Sequence, residues 1–363
     1  MDITALDPRL AERELRETDI VWYSPKTEPF SLRGVFFDEK EGLYVRMPLD
    51  VAAEANPSVR ALSRMTAGGR LRFRTSSPYI ALRVIAPYVY PMGHMPLTGS
   101  HGFAFYVDGR YAGKVAPQPK EALDHQNGHI AFAGSARHGA GAGVHDVEIY
   151  LPLYGGVAAF EVGLAEGAEL LSPRPYRNAG TIVAYGSSIT QGACASRGGN
   201  DAVNHLSRML DSDILNLGFS GNGNAEPAML DYLCSLENVS AYIFDYNYYT
   251  DIPDRVLPPH SEIYRRLREA HPDVPILMID KPGCDYDPEG YAARRAMISA
   301  TYEAARAAGD EKALMLDAYE LFGDEYRDAC LVDSNHPNDL GFLRMAEAMA
   351  KALRPFMVKN AAH

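Results

Sequence analysis

Thr181-Ile182-Val183-Ala184-Tyr185-Gly186-Ser187-Ser188-Ile189-Thr190-Gln191-Gly192 is the stretch on which the reading of this chain turns. Residues 181–185 have the unbroken apolar character of a strand buried on both faces. They run into a small residue, two serines and a helix-compatible segment. A serine at such a strand-to-helix turn exposes its hydroxyl, and the first N–H groups of the helix face an anion. The same grammar recurs downstream. Segments 214–217, 241–244, 275–279 and 313–316 read as strands, and 201–210, 227–236, 261–270, 291–308 and 339–353 as helices. This alternation implies an α/β domain with a parallel sheet covered on both faces.

Upstream of Ser172-Pro173-Arg174-Pro175 the pattern is different. Leu71-Arg72-Phe73-Arg74 and Ile80-Ala81-Leu82-Arg83-Val84 alternate with period two. Residues 103–115 read as a hairpin on a tight Asp108-Gly109 turn. Segments 144–153 and 157–162 supply further strands, while 51–64 reads as a helix or a structured loop. Short strands without intervening helices suggest an antiparallel β-sandwich. The expected division is therefore 1–175 and 176–363, as a chain of 363 residues exceeds what one core usually organises.

A formal charge of -12 argues against a nucleic-acid partner, because phosphates require a basic face. No apolar run approaches the ~18 residues of a membrane span. The first twenty residues alternate acids and bases without the apolar core of a secretory signal. Cys194, Cys234, Cys284 and Cys330 are scattered and lack CxxC spacing, so neither a metal site nor a disulfide framework is expected. Reduced thiols in a cytoplasmic protein are the plain reading.

The loops expected at the carboxyl ends of the strands carry the chemistry. Ser188 lies in the first and Gly218–Gly223 in the second. Asp245-Tyr246-Asn247 follows the third strand, and Asp333-Ser334-Asn335-His336-Pro337 precedes the closing helix. Each has an ordinary reading alone. A loop serine caps a turn, the glycines make a tight bend, Asn247 satisfies loop backbone, and His336 neighbours a helix start with Pro337. Together they present, in order, a hydroxyl nucleophile, a glycine N–H, an amide donor and an acid–base pair.

That order and spacing resemble the SGNH/GDSL hydrolase family, whose marker residues fall here on Ser188, Gly221, Asn247 and His336, with Asp333 as the acid of a DxxH pattern. The strings YGSSITQG, NLGFSGNG and HPNDLGF resemble a subgroup of bacterial esterases with an N-terminal GxDLY domain, to which 95–106 is similar through Gly102 and Tyr106. The resemblance implies a flavodoxin-like three-layer αβα domain preceded by a jelly-roll-like sandwich. It also implies a serine esterase without cofactor, acting on a small-molecule ester such as an acetylated sugar. Ser188 would be the nucleophile, His336 the base and Asp333 its orienting acid. Ser188, Gly221 and Asn247 would form the oxyanion hole. Three positions depart from the family: Ser187 replaces the acid of GDS, Asp245-Tyr246-Asn247-Tyr248 keeps only the asparagine of GxND, and Ala104 replaces the acid of GxDLY.

Other polar residues are second-tier. His101, Asp245 and Glu226 are candidate substrate contacts, beside the ordinary readings of an exposed loop histidine and solvated carboxylates. His94 stands with His101, His205 reads as structural, and Cys194 as packing. Tyr88, Tyr90 and Phe103 are available to a sugar ring or to a core. Two alternatives remain: an acyltransferase using the same acyl-enzyme, and a nucleotide-binding protein using Gly218–Gly223. The latter loop reads GxxGxG after the second strand, not GxGxxG after the first.

Overall fold

The computed structural model describes residues 15, 17–119, 129–246 and 258–360. The chain begins with β1 (Ile20–Tyr23), β2 (Ser31–Arg33), β3 (Phe36–Asp38) and β4 (Leu43–Val45). Segment 51–64 then proves to be two short helices, α1 (Leu49–Ala55) and α2 (Pro57–Leu62). They are separate because Asn56 precedes a proline, which drives it to extended backbone, and its side chain caps α2 by accepting from the Val59 N–H at 2.8 Å. β5 (Arg70–Thr75) and β6 (Tyr79–Ala86) follow, then a long loop containing α3 (Leu97–Ser100). β7 (Phe103–Val107) and β8 (Arg110–Val115) form the expected hairpin, with Asp108 and Gly109 both at positive φ, as a type I′ turn demands. β9 (Ile130–Arg137), β10 (His145–Tyr150), β11 (Ala159–Ala165) and β12 (Leu170–Leu171) complete this region. β9 has weak strand character, being rich in alanine with glycine and serine. Pairing with β6 along its whole length makes it a strand.

β3 and β4 pair as a separate two-stranded ribbon, and two larger antiparallel sheets are ordered β1-β11-β6-β9 and β12-β5-β10-β7-β8, with β2 added to β5. Leu71, Phe73, Leu82, Val84, Phe103, Phe105, Ile149, Phe160 and Val162 fill the core between them. This is the sandwich expected from the period-two alternation.

Downstream come β13 (Thr181–Gly186), α4 (Ser188–Gln191), α5 (Ala202–Leu210), β14 (Asp213–Gly218), α6 (Pro227–Ser235) and β15 (Val239–Phe244). They are followed by α7 (His260–Ala270), β16 (Ile276–Ile279), α8 (Pro288–Ala307), β17 (Ala313–Leu316), α9 (Ala318–Phe322) and α10 (Asp339–Leu353). The five strands are parallel and ordered β14-β13-β15-β16-β17, the flavodoxin-like arrangement. Alternate residues of β13 serve opposite layers. Ile182 and Ala184 pack with Leu206 and Met345 of α5 and α10, while Val183 and Tyr185 pack with Met229, Ile263 and Ile298 of α6, α7 and α8. The chain reverses direction across the sheet at β13, so a crevice opens where β13 and β15 end.

β14 lies at the edge of this sheet, and its alternate carbonyls at Ile214, Asn216 and Gly218 are met by two arginines of the sandwich region. Arg70 Nη1 donates to Ile214 O at 2.9 Å and also pairs with Asp213. Arg46 Nη1 donates to Asn216 O at 3.2 Å and Gly218 O at 2.7 Å, and Nη2 to Leu62 O at 2.8 Å. A bare sheet edge presents unpaired backbone groups, and these guanidinium forks satisfy them. Arg46 is 1% exposed, lies 4.7 Å from the Phe219 ring, and burial lowers its pKa to about 9. Apolar packing also crosses between the regions, since Met47, Ala52 and Val59 share a cluster with Met229 and Leu233.

Candidate active site

β13 delivers the chain to Gly186, and Ser187 then caps α4, its Oγ accepting from the Ile189 N–H at 3.1 Å. Ser188 occupies the first turn with Oγ 3.0 Å from His336 Nε2. The other ring nitrogen, Nδ1, is 2.9 Å from Asp333 Oδ2. With Nδ1–H donated to the carboxylate, Nε2 is left with a lone pair for the serine hydroxyl. Asp333 Oδ1 accepts from the N–H groups of Asn335 at 2.7 Å and His336 at 2.6 Å. Partial burial pushes the Asp333 carboxyl up, but the hydrogen bonds from the His336 ring and from the two N–H groups outweigh it and hold it at about 2.

The Asp333–His336 loop does not leave the last strand directly, as the sequence spacing suggested. α9 and a short turn at Asp328–Cys330 intervene. The loop is tied back by the Val332 N–H donating to His336 O at 2.9 Å. Asn338 caps α10 by accepting from the Leu340 N–H at 3.0 Å and donates its amide to Ala329 O at 2.7 Å.

The second loop lies against the serine turn, backbone to backbone. A Cβ on Gly218 would sit 2.1 Å from the Gln191 nitrogen, and one on Gly223 2.5 Å from Gly186 O. Gly221 turns the chain at φ +68°. The N–H groups of Ser188 and Gly221 donate to no acceptor among the described residues. Asn247 lies outside the described residues.

The second-tier residues fall elsewhere. Asp245 is not at the mouth but beneath the serine turn, 2% exposed, and accepts from Ser187 and Thr190. Glu226 Oε1 accepts from the amides of Asn56 and Asn224, tying α6 to the α1–α2 junction. His101 is buried rather than exposed, with Nδ1 2.9 Å from Ser100 Oγ, and burial lowers its pKa to about 4. Phe103 is inside the sandwich core, whereas Tyr88 and Tyr90 are half-buried and stack at 5.6 Å. His94 remains exposed with its ring 5.8 Å from that of His336. Cys194 is buried and its thiol is pushed up to about 12 by burial and by Asp333. His205 is bound through Nδ1 to Arg208 at 3.0 Å. No group of three or more histidines, cysteines and carboxylates suited to a metal occurs among the described residues.

Two contributions escaped the sequence reading. Arg46, flanked by Val45 and Met47, carries no signal beyond a lone charge in an apolar run. Asp245, expected as a substrate contact, instead accepts from Ser187 and Thr190 beneath the nucleophile, and the missing acid at Ser187 was the one signal for it.

Residues 179–354 match the GDSL-like lipase/acylhydrolase family, and residues 20–170 match GxDLY, the N-terminus of SGNH-hydrolase-type esterases. The chain thus joins a GDSL-like lipase/acylhydrolase domain to the N-terminal domain of SGNH-type esterases. A crystal structure assigned as a GDSL-like lipase from Bacteroides ovatus ATCC 8483 shares 25% identity, with a TM-score of 0.74 over 94% of this chain and 100% of that one. The salicylyl-acyltransferase SsfX3 from a tetracycline biosynthetic pathway shares the fold at 23% identity and a TM-score of 0.71, over 94% and 98% of the two chains. A family two carbohydrate esterase from Clostridium thermocellum, in complex with cellohexaose, shares it at 15% identity and 0.54, over 80% and 92%. No curated protein matches by sequence. The two matched domains support an esterase as the general class. No helix among the described residues is long and apolar enough to cross a membrane.

Proposed function

We propose that the chain is a serine esterase that removes small acyl groups, acetyl above all, from carbohydrate esters. The observation that carries this reading is the relay from Ser188 Oγ to His336 Nε2 at 3.0 Å and from Nδ1 to Asp333 at 2.9 Å. Ser188 Oγ attacks the ester carbonyl as His336 takes its proton. The carbonyl oxygen becomes an oxyanion received by the N–H groups of Ser188 and Gly221 and the amide of Asn247. Each such donor is worth about 10²–10³ in turnover. The bond to the alcohol then breaks, His336 protonates the departing oxygen, and water activated by the same ring releases the acid. Asp333 orients and stabilises the imidazolium without taking its proton. Only side chains, backbone amides and water are needed. Residues 1–175 form an accessory domain in this reading, and 176–363 the catalytic one.

An acyltransferase would use the same acyl-enzyme and differ in excluding water. The Asp333 side chain is 44% exposed, so water reaches the far end of the relay, which supports the hydrolytic reading. Nucleotide binding is disfavoured because Gly218 and Gly223 are occupied in packing on the serine turn. The test is incubation with a fluorophosphonate and with p-nitrophenyl acetate, followed by acetylated sugars with and without acceptor alcohols. Labelling at Ser188 and acetate release that is indifferent to acceptor support the reading. Folded protein that neither labels nor hydrolyses any of these esters refutes it.

A further inference from the structure

The turn that carries Ser188 rests on a buried carboxylate from a different strand. Asp245, immediately beyond β15, sends Oδ1 to the Ser187 N–H at 2.6 Å and Oδ2 to the Ser187 hydroxyl at 3.1 Å and the Thr190 hydroxyl at 2.5 Å. These three donors bracket the nucleophile, one residue before it and two after it. The fit is close, since a Cβ on Gly186 would lie 1.9 Å from Asp245 Oδ1. Ser187 meanwhile caps α4 through the Ile189 N–H, so its hydroxyl is committed in two directions. The GDS pattern that this turn resembles has an acid at this position, and here it is Ser187.

We propose that Asp245 is the positioning residue of the nucleophile turn, holding Ser188 in line with His336 by a carboxylate supplied from the adjoining strand instead of from the turn. The proposal rests on the serine-esterase reading for its effect on turnover, but the clamp itself is independent of that reading. The two carboxylate positions are geometrically exchangeable. An aspartate at 187 can still cap α4, and its second oxygen reaches the space Asp245 occupies. Both carboxylates together would crowd two charges into one buried site, which disfavours ionising both. Burial raises the Asp245 carboxyl to about 7 while the Thr190 and Ser187 hydrogen bonds pull it down, so the tests belong at about pH 8.5.

Three variants of the full chain separate the outcomes: Asp245→Ala, Ser187→Asp, and the two combined, with Asp245→Asn as a shape-preserving companion should the alanine variant fold poorly. Displacing the nucleophile by about an ångström is expected to lower kcat for p-nitrophenyl acetate about 10²-fold in Asp245→Ala. The accompanying change in KM should stay within about threefold, as for a residue acting on the chemical step. Asp245→Asn keeps one acceptor and should lose less. Ser187→Asp should impair the wild-type background yet restore at least about tenfold of kcat in Asp245→Ala, a reversal of sign that general destabilisation does not produce. Amide exchange of the 186–192 peptide reads the clamp without any turnover. It should quicken in Asp245→Ala and slow again in the double variant. Wild-type kcat in folded Asp245→Ala or Asp245→Asn, equal impairment by Ser187→Asp in both backgrounds, or unchanged exchange would each overturn the proposal. Failure of wild-type protein to label with fluorophosphonate would instead refute the serine reading, leaving the exchange measurement to decide the clamp.

Discussion

Replacing Arg46 by methionine keeps a side chain of similar reach and removes every donor it offers to Asn216 O, Gly218 O and Leu62 O. The first two acceptors are buried on the sheet edge, and a buried acceptor left unsatisfied costs about 1–3 kcal/mol. The 2.7 Å bond to Gly218 belongs near the top of that range and the 3.2 Å bond to Asn216 near the bottom. Leu62 O is partly accessible, so water replaces its donor. Loss of the cation over the Phe219 ring adds about 1 kcal/mol. Removing a charge that burial disfavours, as the depressed Arg46 pKa shows, offsets part of this loss. The net expectation is a loss of about 2–4 kcal/mol, within the range of a buried polar group left unpaired. Urea unfolding of the full chain measures it with two probes. Trp22, the sole tryptophan, lies on β1 and reports the sandwich, while far-UV circular dichroism is dominated by the helices of the αβα region. Arg46→Met should shift both midpoints downward, and Arg46→Lys, which keeps the charge but not the fork, should fall between. Arg46→Met within about 0.5 kcal/mol of wild type would refute the view that this arginine satisfies the β14 edge.

Three further expectations concern the site. Asp333→Asn keeps the shape but weakens the hold on the imidazole, and kcat should fall about 10- to 10³-fold with little change in KM, checked by steady-state ester hydrolysis. His94→Ala should alter KM for bulky sugar esters more than kcat for p-nitrophenyl acetate, because the ring stands exposed beside His336 and touches no reacting atom in the relay. Folding raises the Asp245 carboxyl from 3.8 to about 7, so the folded chain binds this proton more tightly than the unfolded one. Its stabilising contribution is therefore complete below about pH 4 and is lost as pH rises through about 7. The neighbouring Tyr185 phenol, held well above its ordinary range by burial, stays neutral throughout. Urea midpoints across that window should show wild type losing stability relative to the non-titrating Asp245→Asn, and the opposite trend would refute the assignment.

Much of the molecule was legible in the residues themselves. The αβα layers follow from apolar runs alternating with helical periodicity, and α10 spans the same residues as the stretch read from sequence. Ser188 and His336, ordinary when taken singly, could be paired across 148 positions because the four loops follow one another in a telling order. Local pattern decides such features, since strand, turn and cap preferences act within a few residues. The sequence did not show that 51–64 divides into two helices or that β9 is a strand, because a proline's backward restriction and a pairing partner settled those. It could not show where long-range charges go. Asp245 reads as a substrate contact or a solvated acid until the fold places it under the serine turn, where three donors converge. Arg46 carries no signal of its role until a sheet edge more than 150 residues away offers it carbonyls. Residue type and spacing carry the identity of the reacting groups. Which buried charge supports them depends on desolvation and on hydrogen-bonding partners that meet only when the chain is folded.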